Sequence, residues 1–600
     1  MVQPGEGPKD GWWSTVAVGV LLTAVIFCYP LLLGTPLLDP DEGLHASIAQ
    51  AMVERGDWIT PSFLGRPFLD KPILFFWAEA LSLRLFGMGE AAVRLPGLMF
   101  GLLGALTTAL VGWRMFGRTV GTVAGLFYAT MFLPAALAQA AAHDVALIPW
   151  VNLALLLFWE SDRATRRRAA IRYIVAIGVL LGLTCLTKGL VGVALVGLVY
   201  GTYLIVTRQL SVAGCIRGAA ALGIAALVAA VWYVPAEVRN PGYLHYYFIE
   251  RHLLGYATET QTHGNQPWWY YLPILLGGGL PWIGYLPATI QDGWIRFTGR
   301  HGGASGETGA PGETAGPLCR RLLQWLQPDC REAGGSHGAM VLLWCWLVGC
   351  TLFLSTSHSK LVTYIWPVFP SVAILAAVGW GRLVEGTLSQ AARRTILWTF
   401  SATCLTGVAV LPVAMLVLQA KFAVCFSWPV WTSTGLVAVG SWWSLGFLVA
   451  GRLRETLLSG LVSLAAQYAV IMATVLPHVA AATSARDLAD HFNRLGRIPD
   501  RLVFTEDRIG SFVFYLDREL RAGLKGSQLQ QVRIWDVDGL PAPGPDTLIA
   551  LPERRVERAR RYCNLGGVAY QSAGEHRLYK ARELEGHVLM THAGSRPTRR

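Results

Sequence analysis

Of the 600 residues, 53% are hydrophobic and only 15% charged, too few to cover a water-exposed surface, so the chain reads as a polytopic membrane protein. The net charge of +12 would suit nucleic acid in a soluble domain, but the basic residues fall in short loops between apolar runs. Topology accounts for them, and nucleic-acid binding is set aside. The ten cysteines lie mostly inside apolar runs with no CxxC pair, which argues against a disulfide framework or a zinc motif.

The apolar runs predict about thirteen spans, each near the ~20 residues a bilayer requires. They lie at about 14–34, 92–113, 119–138, 145–159, 170–187, 190–207, 213–233, 268–290, 339–357, 361–382, 394–417, 428–450 and 456–477. The first is long, follows Trp12-Trp13 and lacks a small-residue cleavage site, so it reads as a span and not as a cleaved signal. With the N-terminus in the cytoplasm, the loops Arg114–Arg118, Arg163–Arg172, Arg208–Arg217, Arg296–Arg331, Arg382–Arg394 and Arg452–Arg454 fall inside, as positive charge prefers. The outer segments are then 35–91, 139–144, 234–267, 355–360 and everything after 478. This divides the chain into a membrane domain, 1–477, and a soluble outer domain, 478–600.

The outer segment 35–91 is too polar to span. Two helices are expected in it, about 42–55 and 72–87, the second opening at Pro72. Both read as interfacial helices. The alternative, a short span at 72–87, would invert every later loop. The inner loop 296–338 contains a flexible Gly-rich insert, HGGASGETGAPGETAGP. In the tail, Ser484-x-x-Asp487 is a capping-box-like start for a helix bearing Leu488, Phe492 and Leu495 and stopped at Gly496. Leu502–Phe504, Val532–Trp535 and Thr547–Ala550 read as short strands and Tyr562–Leu578 as a hairpin, giving a small α/β domain.

Charged residues at a membrane boundary are costly unless they face a water-filled cavity or a ligand, and here they gather on the outer side. Asp41 or Glu42 fits a general base; the bland alternative is a pair of helix N-terminal acids. In Asp70-Lys71-Pro72, Lys71 is a compact cation suited to phosphate beside a helix start, against the alternative of a lysine snorkelling to headgroups. His143-Asp144 closes a span and reads equally as a loop cap. In Glu250-Arg251-His252, Arg251 suits a bidentate phosphate clamp and His252 a phosphate or metal contact, though a lone histidine is more often structural. Lys360 and Tyr364 open another span and suit the same anion or an interfacial anchor pair. Trp268-Trp269-Tyr270-Tyr271 reads as an aromatic belt. No Walker loop, GxSxG or HExxH is present, so no nucleotide is expected.

The blocks DE-x(2)-HA, GDWITPSFLGRPFLDKP, LFGMGEAAVRLPG, AAHDVAL, KGLVG, YYFIERHLLGY, PWWYYLPILLGGGLPWIGYLP and SKLVTYIWP follow in order over about residues 36–370. They resemble the lipid A 4-amino-4-deoxy-L-arabinose transferase family, within the protein O-mannosyltransferase superfamily of GT-C fold. The resemblance implies that Asp41 is the base or acceptor-binding acid and Asp144 the second outer acid. It implies that Lys71 and Tyr364 hold a lipid phosphate and that Arg251 and His252 line the same cavity. The chain departs at Asp70, where the family usually has Glu; the contacts of Asp70 and His252 to metal or sugar are the ones this shorter acid affects. A divalent metal is thus the one cofactor left open.

Together these point to an α-helical multi-pass glycosyltransferase of the bacterial inner membrane. It would move a sugar from a polyprenyl-phosphate donor to a lipid A-like or glycan acceptor on the periplasmic face, with inversion. A protein O-mannosyltransferase with the same site is the nearest alternative. A lipid or solute transporter is the alternative of another class; the absence of a clear internal repeat and the large outer loop weigh against it.

Overall fold

The computed structural model describes residues 17–24, 34–139, 143–163, 167–254, 266–298, 336–357, 359–422, 427–505, 509–532, 546–560, 564–565 and 568–584. Among them, nine helices are long and apolar enough to cross a membrane: Glu90–Phe116, His143–Ser161, Arg168–Lys188, Val212–Arg239, His337–Thr356, Val362–Val384, Gln390–Val417, Trp431–Val449 and Leu453–Thr483. A tenth results if Arg118–Thr130 and Phe132–Ala138, bent by 64°, count as one span. The multi-pass membrane fold is therefore as expected, and the count of thirteen is not reproduced. The differences have local causes. Leu190–Val206 is apolar but only 17 residues long. The run 268–290 is broken at Gly277-Gly278-Gly279 and Pro281 into Tyr271–Gly278, a 3-10 turn Trp282–Tyr285, and Leu286–Thr298. The first run is described only at 17–24, and most of the loop 296–338 lies outside the described residues.

Small residues let the spans approach closely, because apolar side chains gain nothing from leaving lipid. A Cβ on Gly121 would stand 2.5 Å from the Trp113 amide nitrogen, and one on Gly125 would stand 2.8 Å from the Ala109 Cβ. Gly178 and Gly182 serve Val212–Arg239 in the same way, 2.6 and 2.5 Å from Ile224 and Val228 side-chain carbons. Some polar side chains inside this body pair with one another. The Asn152 amide donates to Thr107 and Thr108 hydroxyls at 3.0 and 3.1 Å, and Arg382 pairs with Asp292 at 2.6 Å.

The segment 35–91 begins with two helices, Asp41–Arg55 and Leu74–Phe86, joined by a small hairpin of Ser62–Phe63 and Arg66–Pro67. The second is 13 residues long, too short to cross a bilayer, and starts two residues beyond Pro72. It buries Glu79, whose two carboxylate oxygens have no partner among the described residues. Burial, with the nearby Glu42 charge adding to it, pushes this carboxyl well above the usual range.

The tail carries a five-stranded sheet in the order Leu529–Val532, Arg501–Thr505, Thr547–Pro552, His576–Lys580, Tyr570–Ala573. The first three strands are parallel and the last two antiparallel. The expected small α/β fold is present, with shifts. The strand expected at Val532–Trp535 lies earlier, and residues 533–545 are outside the described ones. The helix is Arg486–Leu495, ended by Gly496 at φ 64° as expected, but its N-cap is Ala485 without a side-chain cap. The Ser484 hydroxyl accepts from the Arg486 amide at 3.4 Å, so the capping box does not form.

This sheet layer docks on the helix Asp41–Arg55. The short helix Gly510–Tyr515 packs backbone to backbone against it: a Cβ on Gly43 would lie 2.3 Å from the Ser511 nitrogen, and one on Gly510 would lie 2.3 Å from the Leu44 nitrogen. Arg521 forks onto Glu54 at 2.5 and 3.2 Å, and Arg486 pairs with Glu90 at 2.9 Å.

Candidate functional site

Two adjacent acids open the helix Asp41–Arg55, where the helix dipole favours negative charge. They part company at once. Glu42 is 3% exposed and engaged on both oxygens: Arg94 donates to Oε1 at 3.1 Å and to Oε2 at 2.9 Å, and the Leu38 amide donates to Oε2 at 2.9 Å. Arg94 also donates to the carbonyls of Thr35 and Pro36 at 2.8 and 2.9 Å, stapling the start of the outer segment to the span Glu90–Phe116. Asp41 is exposed and forms no hydrogen bond or ion pair among the described residues. Asp39 faces the tail: its carboxylate accepts from the Ser511 amide at 3.1 and 3.3 Å and from the Ser511 hydroxyl at 2.5 Å.

The second group comes from the loop before Leu74 and the π-helical turn His245–Leu254. Asp70 accepts from the Tyr246 hydroxyl at 2.5 Å and pairs with Arg251 at 3.3 Å. Burial, then the hydrogen bond and charge of Asp70, push the Tyr246 hydroxyl up to about 12, so it stays a donor. Next to it, Lys71 is half-buried and forms no hydrogen bond or ion pair among the described residues; its electrostatic neighbours are His143, Asp144 and Lys188.

The third group joins span ends. The 3-10 turn His143–Leu147 packs on the turn Val362–Val368. Asp144 bonds Lys188, the last residue of its helix, and the Thr363 hydroxyl. The Lys188 ammonium stands 4.3 Å from the Tyr364 ring centroid, and Tyr364 has Asp144, Arg251 and Asp41 as electrostatic neighbours. His143 is buried in an aromatic nest, its ring 4.4 Å from His45 and 4.5 Å from Phe76.

The structure thus links Asp41, Asp70, Lys71, Asp144, Arg251 and Tyr364. Two sequence candidates, Glu42 and Lys360, stand apart from this linkage. Glu42 is engaged by Arg94. Lys360 is 5% exposed and donates to the Gln266 carbonyl at 3.0 Å; burial lowers its ammonium pKa. The side chain of His252 lies outside the described residues. Lys188, Thr363 and Tyr246 join the cluster without having been singled out. A lysine breaking two apolar runs was the available signal for Lys188. Among the described residues no group of three or more His, Cys, Asp or Glu side chains is placed to hold a metal. Both oxygens of Asp70 are already bonded.

Two cavities adjoin the cluster. An open one of about 310 Å³ is walled by Pro67, Leu69, Asn240, Tyr243 and Tyr246. A larger, apolar one of about 370 Å³ lies between spans, lined by Phe132, Trp282, Phe400 and Tyr468, and reaches Val362, two residues from Tyr364.

Comparison with known proteins follows the same lines. The family model of dolichyl-phosphate-mannose-protein mannosyltransferases matches residues 70–234. Two undecaprenyl phosphate-alpha-4-amino-4-deoxy-L-arabinose arabinosyl transferases are similar. The one from Aeromonas salmonicida is 32% identical over 63% of this chain, and the one from Edwardsiella ictaluri is 30% identical over 64%. The chain spans 62% of the length of each of these relatives. The crystal structure of ArnT from Cupriavidus metallidurans bound to undecaprenyl phosphate superposes with a TM-score of 0.67 at 22% identity, over 96% of this chain and 98% of that one. The chain therefore has the fold of that protein, and the resemblance carried by its motifs is borne out.

Proposed function

We propose that this protein is a glycosyltransferase that moves a sugar from a polyprenyl-phosphate donor to a lipid or glycan acceptor at the periplasmic face of a bacterial inner membrane. The N-terminus lies in the cytoplasm and the tail from 478 onward forms a periplasmic domain on a membrane domain of 1–477. One observation carries the reading. In a cluster where Asp70 pairs with Arg251 and Asp144 with Lys188, Asp41 and Lys71 are a carboxylate and an ammonium without a bonded partner among the described residues. Those are the two charges that transfer from a phosphate-linked donor uses.

Lys71 receives the donor phosphate as a point charge, with Arg251 and Tyr364 supplying further donors. Asp41 orients the acceptor and takes its proton. The acceptor oxygen attacks the anomeric carbon as the carbon–oxygen bond to phosphate breaks, so configuration inverts and the polyprenyl phosphate leaves with the bonding pair. Charge building on that phosphate is met by cations already in place, the electrostatic contribution that usually dominates. The apolar cavity that reaches Val362 suits the polyprenyl chain, beside the phosphate and out of water. The names of the relatives favour 4-amino-4-deoxy-arabinose as the sugar, and a lipid A-like acceptor is the one the motif resemblance implies; the family model at 70–234 keeps mannosyl transfer to protein as the second reading.

Mass spectrometry of lipid A and of surface glycoproteins, from cells with and without this chain, tests the proposal. Loss of a sugar-bearing lipid A species on deletion is expected. Loss of protein-linked hexose instead selects the second reading, and unchanged spectra of both kinds sink the proposal.

A further inference from the structure

The tail domain touches the outer segment at a point two residues from the proposed base. Resting on the function just proposed, we infer that Ser511 and Asp39 form a clamp by which the tail domain sets the position of Asp41. They are positioning residues of the active site, though 472 positions apart in the chain.

The contact is built more tightly than domain packing requires. Ser511 is completely buried and uses its amide and its hydroxyl on the same carboxylate, at 3.1 and 2.5 Å. Its hydroxyl oxygen accepts in turn from the Ala485 amide at 2.8 Å, so Ser511 ties Asp39 to the linker entering the tail domain. Hydrogen bonds to a charged acceptor are shorter and stronger than neutral ones. The backbones meet at Gly43 and Gly510, where neither tolerates a Cβ, so the two helices have one seating and little room to slide. The Leu37 amide donates to the Tyr515 hydroxyl at 2.9 Å, which itself donates to Glu90 at 3.1 Å, fixing the chain on the near side of Asp39. On the far side Arg94 fixes Glu42. Asp41 lies between two anchored neighbours, with its own carboxylate exposed.

Such an arrangement serves a base whose proton transfer depends on distance. Interactions that hold a reacting group in line are realised in turnover and not in donor binding, and a misplacement of about 1 Å can cost on the order of a hundredfold. The donor phosphate is held by Lys71 and Arg251, which this clamp does not touch.

The test uses the full-length protein in membranes, matched for insertion, with transfer of a radiolabelled polyprenyl-linked sugar as readout. Asp39→Ala and Ser511→Ala should each lower kcat about ten- to a hundredfold while donor KM stays within about twofold. The double variant should be no slower than the slower single one, since both remove one contact. Glu54→Gln loosens the same domain contact at the other end of the helix and should leave kcat within about twofold of the parent. Asp39→Asn keeps one acceptor oxygen, should give an intermediate loss, and decides the matter should Asp39→Ala fail to insert. Unchanged kcat in the Asp39 and Ser511 variants overturns the clamp, as do additive losses or an equal fall in Glu54→Gln. Run in parallel, Asp41→Asn separates the levels: inactive Asp41→Asn with active clamp variants removes the clamp alone, whereas active Asp41→Asn removes the functional reading and the clamp together.

Discussion

Lys188 and Lys71 are both electrostatic neighbours of Asp144, yet only Lys188 is bonded to it. Lys188 ends a membrane helix, where an unpaired ammonium is expensive, so the fold supplies Asp144 and stacks the pair under Tyr364. Lys71 stands in the loop before the helix Leu74–Phe86, half-buried and unbonded among the described residues, next to an Asp70 already held by Tyr246 and Arg251. The acids differ in the same way: Glu42 is engaged by Arg94, and its neighbour Asp41 is open. Paired charges build the frame. In the proposed function, Asp41 and Lys71, without a bonded partner among the described residues, are the charges that meet the ligands.

The largest effect should come from the open acid. Asp41→Asn keeps the shape and removes the charge that accepts a proton, so turnover should fall about 100- to 10,000-fold with donor binding nearly unchanged. A single-turnover assay at saturating donor measures it, and an active Asp41→Asn enzyme would erase the distinction between open and engaged acids. Lys188→Met should act on the fold, leaving Asp144 buried without its partner at a cost of about 3–5 kcal/mol in stability. Thermal unfolding in detergent reads this, and adding Asp144→Asn should recover part of the loss; equal unfolding temperatures for all three proteins would show that the pair is not structural. The smallest effect is expected at Lys71. Lys71→Ala should weaken donor use by about 1.5–3 kcal/mol, the typical worth of a hydrogen bond to a charged group. Lys71→Arg should recover it only in part, because a planar fork replaces a point charge. Wild-type rates for Lys71→Ala at limiting donor would move the phosphate site elsewhere.

Much of this was legible in the sequence, for reasons that differ by region. Helix Asp41–Arg55 and strand Arg501–Thr505 fall close to where local pattern placed them. Asp41, Lys71 and Asp144 stood out because charge at a membrane boundary needs a reason. What stayed hidden depends on contacts distant in the chain. Nothing near Glu42 announces Arg94, 52 positions later, and nothing near Asp39 announces Ser511. Lys188 was masked by the apolar runs on both sides, which read as spans whether or not a lysine divides them. The broken run at Gly277–Pro281 has the hydropathy of a span and the backbone chemistry of a turn, and hydropathy alone reports the first.

Gly43 and Gly510 meet through their backbones, with no side chain of their own at the contact. Such a seam is intolerant of volume. A tail domain borrowed from a distant relative would need a bare backbone at the position of Gly510 before its side chains could reach Asp39, Glu54 and Glu90. A single methyl at either glycine would unseat even the native one. Exchange of the tail is therefore a question of steric fit at one point before it is a question of sequence similarity.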